Sequence, residues 1–338
     1  MYKFIFPDKN IGDSAVTSFY MNIIKKACEK AGKNCEICFS KQNGNKKRDV
    51  IVVDEAMVAF HYIKKGYRNI IFWSQGVIPE ESFMRNKSYL RFWVLSLIEY
   101  ITILKSKQIF LCSEAMLKHY EKKYHIKIRS KSFIMPCFNE SKINSESFFL
   151  EKKYKKNNFL YVGSIKAWQC FEETVNLYKI IENLSDEPVK LFVYTNQQEE
   201  AKEIINKSKI KNFEVSYETP ENLAKKIKYF KYGFVLREDT IVNNVATPTK
   251  FSNYISNGII PIYSSCITDF NNQNNKINLG ITCDLSNTKD GVQRILNHMK
   301  TEIEPQKILK ICQDWFDSYY SEERYIQQIS KRIKMLDL

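Results

Sequence analysis

Arg237 ends a short apolar run, Phe234-Val235-Leu236, and is followed by two acids, Glu238 and Asp239. A polar loop then closes with Thr247-Pro248-Thr249, and Lys250 opens a stretch that reads as a helix as far as Asn257-Gly258. Pro248 suits a helix entrance and Gly258 its exit, ahead of a second apolar run at 259–263. A strand, a polar loop and a helix start offer unpaired N–H groups and partial positive charge, which suits a phosphate. The helix dipole disfavours a lysine in the first turn. Lys250 is therefore best explained by an anion that shares the site. Other loops that follow apolar runs carry Gly12-Asp13-Ser14, Trp73-Ser74-Gln75-Gly76 with Glu80 just beyond, and Gly163-Ser164-Ile165-Lys166.

These loops need a scaffold in which strands alternate with helices, and the sequence supplies one. Strands are expected at 4–6, 35–39, 50–53, 69–73, 109–112 and 133–135. A helix at 15–31 stops at Gly32, and Ser113 caps another through 124. Residues 139–158 turn polar and read as a linker. A second series follows, with strands at 159–162, 189–194, 213–216, 234–236 and 259–263, and helices at 171–184, 199–207 and 221–228. Residues 271–275 read as an Asn-rich loop. From Pro305 on the chain looks helical, with Trp315, Phe316, Tyr319, Tyr320, Tyr325 and Ile329 as its apolar positions. Two doubly wound domains are expected, with ligands outside the carboxyl ends of their strands.

Length and composition fit two domains, with 338 residues and 44% hydrophobic content. No basic-apolar-small leader opens the chain, since Lys3 and Asp8 bracket its first apolar run. Nine cysteines lie scattered without a disulfide framework, which points to a reducing, cytoplasmic compartment. Cys35 and Cys38 read as small apolar residues flanking a strand, because no second pair or nearby histidine completes a zinc site. The four histidines are isolated, so neither metal nor cofactor is expected.

The net charge of +14 is uneven: residues 1–150 hold 25 Lys+Arg against 14 Asp+Glu, whereas 151–338 hold 27 against 24. Such a basic half suits an anionic membrane surface or a phosphorylated substrate. The absence of RNP-like aromatics, zinc fingers or a helix-turn-helix argues against nucleic acid. The segment LRFWVLSLIEYITIL, 90–104, is too short and too charged to span a bilayer. It reads as a helix that either packs on the first sheet or dips into a membrane interface.

Several stretches together resemble a known family. LYVGSIKAWQ (160–169) and LRED…ATPTKFSNYISNGIIPI (236–262) are similar to the donor half of the GT-B glycosyltransferases of the large retaining family-four type. WSQGVIPEESFMR (73–85), SEAMLKHY (113–120) and IMPCFN (134–139) resemble the first half of the same enzymes, in the same order. The resemblance implies an α/β GT-B fold, two Rossmann-like domains facing across a cleft. The acceptor-side domain would span about 1–150 and the sugar-nucleotide domain 151–315, with a C-terminal helix (about 316–338) crossing back to the first. It implies sugar transfer from a nucleotide diphosphate sugar, with UDP favoured over GDP. The acceptor would be a glycan or a polyprenyl-diphosphate-linked oligosaccharide in capsule, O-antigen or exopolysaccharide assembly. Such an enzyme would be cytoplasmic, peripheral on the inner face of the membrane, and independent of metal. A sugar-nucleotide- or glycan-binding scaffold with weak catalysis, and a GT-B epimerase, are the alternatives.

The resemblance also assigns residues. Gly163, Ser164, Lys166, Tyr217, Glu238, Thr247, Pro248, Thr249, Phe251 and Asn253 would line the donor. Arg237, Lys250 and Gln75 would be catalytic, and Gly12, Asp13, Trp73 and Glu80 would lie on the acceptor side. The family usually places Arg and Lys where this chain has Ser164 and Gln169, and Glu where it has Asn253. The paired-glutamate motif is missing, because Val245 stands at its first position. Positive charge for the leaving diphosphate must then come from Lys166, Arg237 and Lys250.

Overall fold

The chain forms two compact units, described in a computed structural model at residues 1–6, 15–39, 44–165 and 167–336. Unit 1 holds Met1–Asn139, Asn244–Thr247 and Ser321–Leu338, and unit 2 holds Glu140–Asn243 and Pro248–Tyr320. The segment expected to be a linker is packed into unit 2. Phe148 is fully buried, and the Tyr154 hydroxyl donates to the Gly258 carbonyl. A Cβ on Gly258 (φ +66°) would meet the Phe148 ring at 2.6 Å. The polar composition misled because two aromatics do the anchoring.

Unit 1 runs β1 (Tyr2–Ile5), α1 (Ala15–Lys30), β2 (Cys35–Cys38), β3 (Val50–Val53), α2 (Ala56–Lys64), β4 (Asn69–Ser74) and α3 (Ile78–Asn86). It continues through α4 (Tyr89–Lys105), β5 (Gln108–Leu111), α5 (Glu114–Tyr124) and β6 (Ser132–Ile134). All six strands pair in parallel in the order β2-β1-β3-β4-β5-β6. Strands covered on both faces read as unbroken apolar runs, and β3, VIVV, is buried at every position.

Unit 2 runs β7 (Asn157–Val162), α6 (Phe171–Leu184), β8 (Val189–Tyr194), α7 (Gln198–Lys207), β9 (Phe213–Ser216), α8 (Pro220–Ile227) and β10 (Tyr232–Val235). It closes with α9 (Ile241–Asn244), α10 (Lys250–Ser256), β11 (Ile260–Tyr263), α11 (Thr268–Ile277), β12 (Ile281–Thr282), α12 (Thr288–Met299) and α13 (Pro305–Trp315). The strand order β12-β11-β10-β7-β8-β9 is again fully parallel. The expected Asn-rich loop lies within α11. Its amides are used internally: Asn274 Oδ1 accepts from the N–H groups of Leu279 and Gly280, and Asn271 Oδ1 accepts from the Tyr263 hydroxyl.

After α13 a π turn (Phe316–Tyr320) leads to α14 (Glu322–Met335), which belongs to unit 1 and packs along α1. Trp315, expected on the returning helix, stays in unit 2, stacked near Phe270 at 4.8 Å.

Gly233 shows how close the layers come. Tyr254 of α10 lays its ring over β10, and a Cβ on Gly233 would meet that ring at 2.5 Å. Only glycine leaves room there, which ties the position of α10 to the strand that leads to Arg237.

Candidate functional site

Strand order locates the ligand positions. In unit 2 the chain leaves β7 toward β8 on one side and β10 toward β11 on the other, so the switch point lies between the carboxyl ends of β7 and β10. The loops there carry Gly163 and Arg237. In unit 1 the switch point lies between β1 and β3, and the first residue after β3 is Asp54.

At the unit 2 switch point two cations converge on one neutral acceptor. Lys250 Nζ and Arg237 Nη2 each donate to Gln169 Oε1 at 2.8 Å. Arg237 Nη1 also donates to the Leu236 carbonyl at 2.7 Å, and the Arg237 backbone N–H donates to Ser264 Oγ at 3.0 Å. Lys250 Nζ sits 4.9 Å from the centre of the Tyr161 ring, a cation–π contact. Among the described residues neither cation has a carboxylate partner. Arg237 is only 5% exposed. Burial, and then the neighbouring Arg237, hold the Lys250 ammonium well below the usual lysine range. Burial likewise lowers the Arg237 guanidinium.

Gly163 forms the floor of this cluster. Its φ is +126°, and a Cβ there would meet Lys250 Nζ at 3.1 Å and Cε at 3.2 Å. Its N–H donates to the Tyr194 carbonyl at 2.9 Å, which fixes the turn. Ser164 is half-buried and its carbonyl accepts from the Tyr161 hydroxyl. Two close cations on one amide oxygen, over a backbone with no side chain, can receive a small dense anion such as a diphosphate.

The other donor-side residues fall as follows. Thr249 precedes α10 and does not cap it with its side chain, and Asn253 lies in the first turns of that seven-residue helix. Asn253 Oδ1 is buried without a hydrogen-bond partner among the described residues, so it can accept from a hydroxyl. Glu238 and Tyr217 are exposed, after β10 and β9. Phe251 is 1% exposed and stacked on Phe270 with ring centres 3.3 Å apart, so it packs the core and does not line a ligand. Thr247 belongs to unit 1, where its hydroxyl accepts the Cys137 N–H at 2.9 Å, whereas Pro248 opens the return to unit 2. Gly12, Asp13 and Lys166 lie outside the described residues.

At the unit 1 switch point, Asp54 Oδ2 accepts from Gln75 Nε2 at 2.8 Å, and Thr17 Oγ1 donates to Gln75 Oε1 at 3.3 Å. Asp54 Oδ1 is buried without a partner among the described residues. Burial pushes the Asp54 carboxyl up to about 6. Trp73, expected beside an acceptor, is instead fully buried in β4 and stacked on Tyr20 at 3.9 Å, so it packs the core. Glu80 is tied to His119 Nε2 at 3.0 Å and Lys123 Nζ at 2.8 Å. Burial raises its carboxyl, but His119 and Lys123 outweigh that and hold it below the usual range.

Sequence reasoning missed Asp54 and the part played by Gln169. Asp54 had a signal, an acid directly after VIVV. Gln169 stood out only as the residue in place of an expected lysine. Among the described residues no group of three His, Cys, Asp or Glu side chains could hold a metal ion.

No protein-family model and no curated protein matches the sequence. Solved structures do match. The lipopolysaccharide outer core galactosyltransferase WaaB is 13% identical with a TM-score of 0.66, over 98% of this chain and 99% of that one. Sucrose-phosphate synthase from Thermosynechococcus elongatus is 11% identical with a TM-score of 0.67, over 98% of each. TarM from S. aureus, solved with fondaparinux, alpha-GlcNAc-glycerol and UDP, is 9% identical with a TM-score of 0.61 over 86% of this chain. This chain spans 56% of TarM. With two parallel six-stranded sheets, each flanked by helices, the chain has the fold of the GT-B glycosyltransferases.

Proposed function

We propose that the protein is a retaining glycosyltransferase that takes a sugar from a nucleotide diphosphate sugar, with UDP favoured over GDP. The acceptor is a glycan or a polyprenyl-diphosphate-linked oligosaccharide of a bacterial surface polysaccharide. The observation that carries this reading is the convergence of Arg237 and Lys250 on Gln169 above Gly163. Negative charge builds on the diphosphate as the glycosidic bond breaks, and a preset pair of cations, Arg237 buried and Lys250 half-buried, stabilises it. Those cations supply the charge a metal ion would otherwise bring, so transfer should persist in chelator. Gln169 then has a defined role: a neutral amide holds both cations in place without neutralising them, as a carboxylate there would. Asn253 Oδ1 is available to a ribose or sugar hydroxyl. Asp54, with Gln75 orienting it, is suited to an acceptor hydroxyl in unit 1. TarM was solved with UDP, which supports the uridine preference. Such an enzyme works as a peripheral protein on the inner face of the membrane.

Titration calorimetry with UDP and GDP, followed by transfer assays, tests this. Nucleotide at 100 times its dissociation constant should stabilise the fold by about 2.7 kcal/mol. Binding should take up protons, because the anion restores the depressed Lys250 ammonium, and affinity should rise as pH falls. Binding without transfer or hydrolysis of any donor would favour a scaffold. Conversion of a sugar nucleotide to its epimer without acceptor would favour an epimerase.

A further inference from the structure

Helix α4 is inside out. Its inward face is polar: Ser96, Glu99 and Thr102 are buried beside Ile103. Glu99 accepts from the Tyr124 hydroxyl at 2.6 Å, from Lys123 at 3.1 Å and from the Tyr120 hydroxyl at 3.3 Å. Thr102 donates to the Ala56 carbonyl at 3.2 Å. Polar contacts thus hold the helix to α2 and α5, with Ile103 buried among them, while a set of its apolar side chains points away. Leu90 is 79% exposed, Tyr89 70%, Trp93 67%, Leu97 58%, Val94 50% and Leu104 40%. Spacing of three and four residues puts them on one stripe, and α4 has no acid besides the inward-facing Glu99. Such a contiguous exposed stripe marks an interaction surface.

A second feature adjoins its C-terminal end. A shallow pocket of about 710 Å³ is lined by Leu104 of the stripe with Ile63, Arg68, Lys105, Lys107 and Lys131. None of its lining residues is acidic. Lys131 is already occupied, since its ammonium donates to the Ile103, Leu104 and Ser106 carbonyls. Among the described residues Arg68, Lys105 and Lys107 have no ion-pair partner, which leaves a cradle for an anionic headgroup.

We propose that α4 and this pocket form a docking face for an anionic phospholipid bilayer. The helix lies in the plane of the interface, its stripe in the acyl boundary and a lipid phosphate among Arg68, Lys105 and Lys107. Charge complementarity selects this occupant: cations rim the stripe at both ends, with Arg85, Lys87 and Arg91 at its start. A second copy of the chain would bring like charges together. Tyr89 and Trp93 are the residue types that settle at headgroup depth. No helix among the described residues is long and apolar enough to cross a membrane, so the contact is superficial. The docking face does not rest on the transferase reading.

Cosedimentation with vesicles of phosphatidylcholine, alone or mixed with phosphatidylglycerol, at low and high salt tests it on the full chain. Wild type should pellet with the mixed vesicles, less so at high salt, and Trp93 emission should shift to the blue. Leu90→Ser, Trp93→Ser and Leu97→Ser together should lower partitioning by about a hundredfold or more. Lys105→Glu with Lys107→Glu should lower it by more than about twentyfold on mixed vesicles only. All five side chains are surface groups, so thermal melts of the variants should match wild type. Three outcomes would overturn the proposal: no pelleting at low salt, equal pelleting with and without phosphatidylglycerol, or a dimer in sedimentation equilibrium that the triple variant dissociates.

Discussion

The two switch points occupy the same place in their sheets and carry opposite chemistry. In unit 2, Lys250 and Arg237 share an amide oxygen and have no carboxylate partner among the described residues. In unit 1, Asp54 accepts from the Gln75 side-chain amide and has no cation partner among the described residues. Burial displaces both sets of groups, lysine downward and aspartate upward. In each case burial disfavours the charged form and a partner of opposite sign would restore it, with a glutamine as neutral holder. The lesson is that one topology provides a position, and the sign of the buried group decides what binds there.

The largest break in that comparison should come from Arg237→Ala or Lys250→Met. Each should slow turnover about a hundredfold or more, equivalent to about 3 kcal/mol of barrier. Rates near wild type with the true donor would remove the unit 2 edge from the chemistry. Gly163→Ala comes next. A side chain at φ +126° pressed on Lys250 Nζ should weaken nucleotide binding about tenfold and lower the melting temperature by a few degrees through backbone strain. A variant that binds as well as wild type would show that Lys250 can give way.

The pH dependence of stability sharpens the contrast. Asp54 titrates near 6 when folded, above its ordinary value, so it favours folding at low pH. That contribution is complete below about 4 and is lost as pH rises through 6. Asp54→Asn should flatten this fall, which is worth about 3 kcal/mol. Lys250 runs the other way. Its folded value lies below its unfolded one, so its contribution is present above the unfolded value and is lost as pH falls through the folded one. The smallest effect is the most diagnostic. Lys250→Met should raise the nucleotide-free melting temperature at neutral pH by a few degrees, because it removes a half-buried, poorly paired cation. A lower melting temperature would mean that Gln169 and Tyr161 already satisfy the ammonium.

The sheets were legible because parallel strands covered on both faces leave apolar runs such as VIVV and LFVY. Arg237 and Lys250 were legible from where they stood, after a strand and at a helix start. What escaped was residues whose role depends on a partner far along the chain. Gln169 matters through side chains at 237 and 250, and Asp54 through the one at 75. The α11 helix was hidden because Asn271 and Asn274 bond inward, and the packed segment before β7 because Phe148 and Tyr154 sit among lysines and serines. Trp73 and Phe251 were misplaced for a related reason: an aromatic beside a loop reads the same whether it stacks on a sugar or on Tyr20 or Phe270.

The membership of α14 in unit 1 has a consequence for synthesis. Tyr325 lies against Phe133 and Phe138, and Lys26 of α1 pairs with Glu322. All of unit 2 is translated between the two halves of that contact. At about 5–20 residues per second, the ribosome needs about 10–40 s to go from residue 140 to residue 321. Throughout that interval the nascent first unit presents uncovered aromatic rings and one bare side of α1, and that face closes only when the last helix emerges.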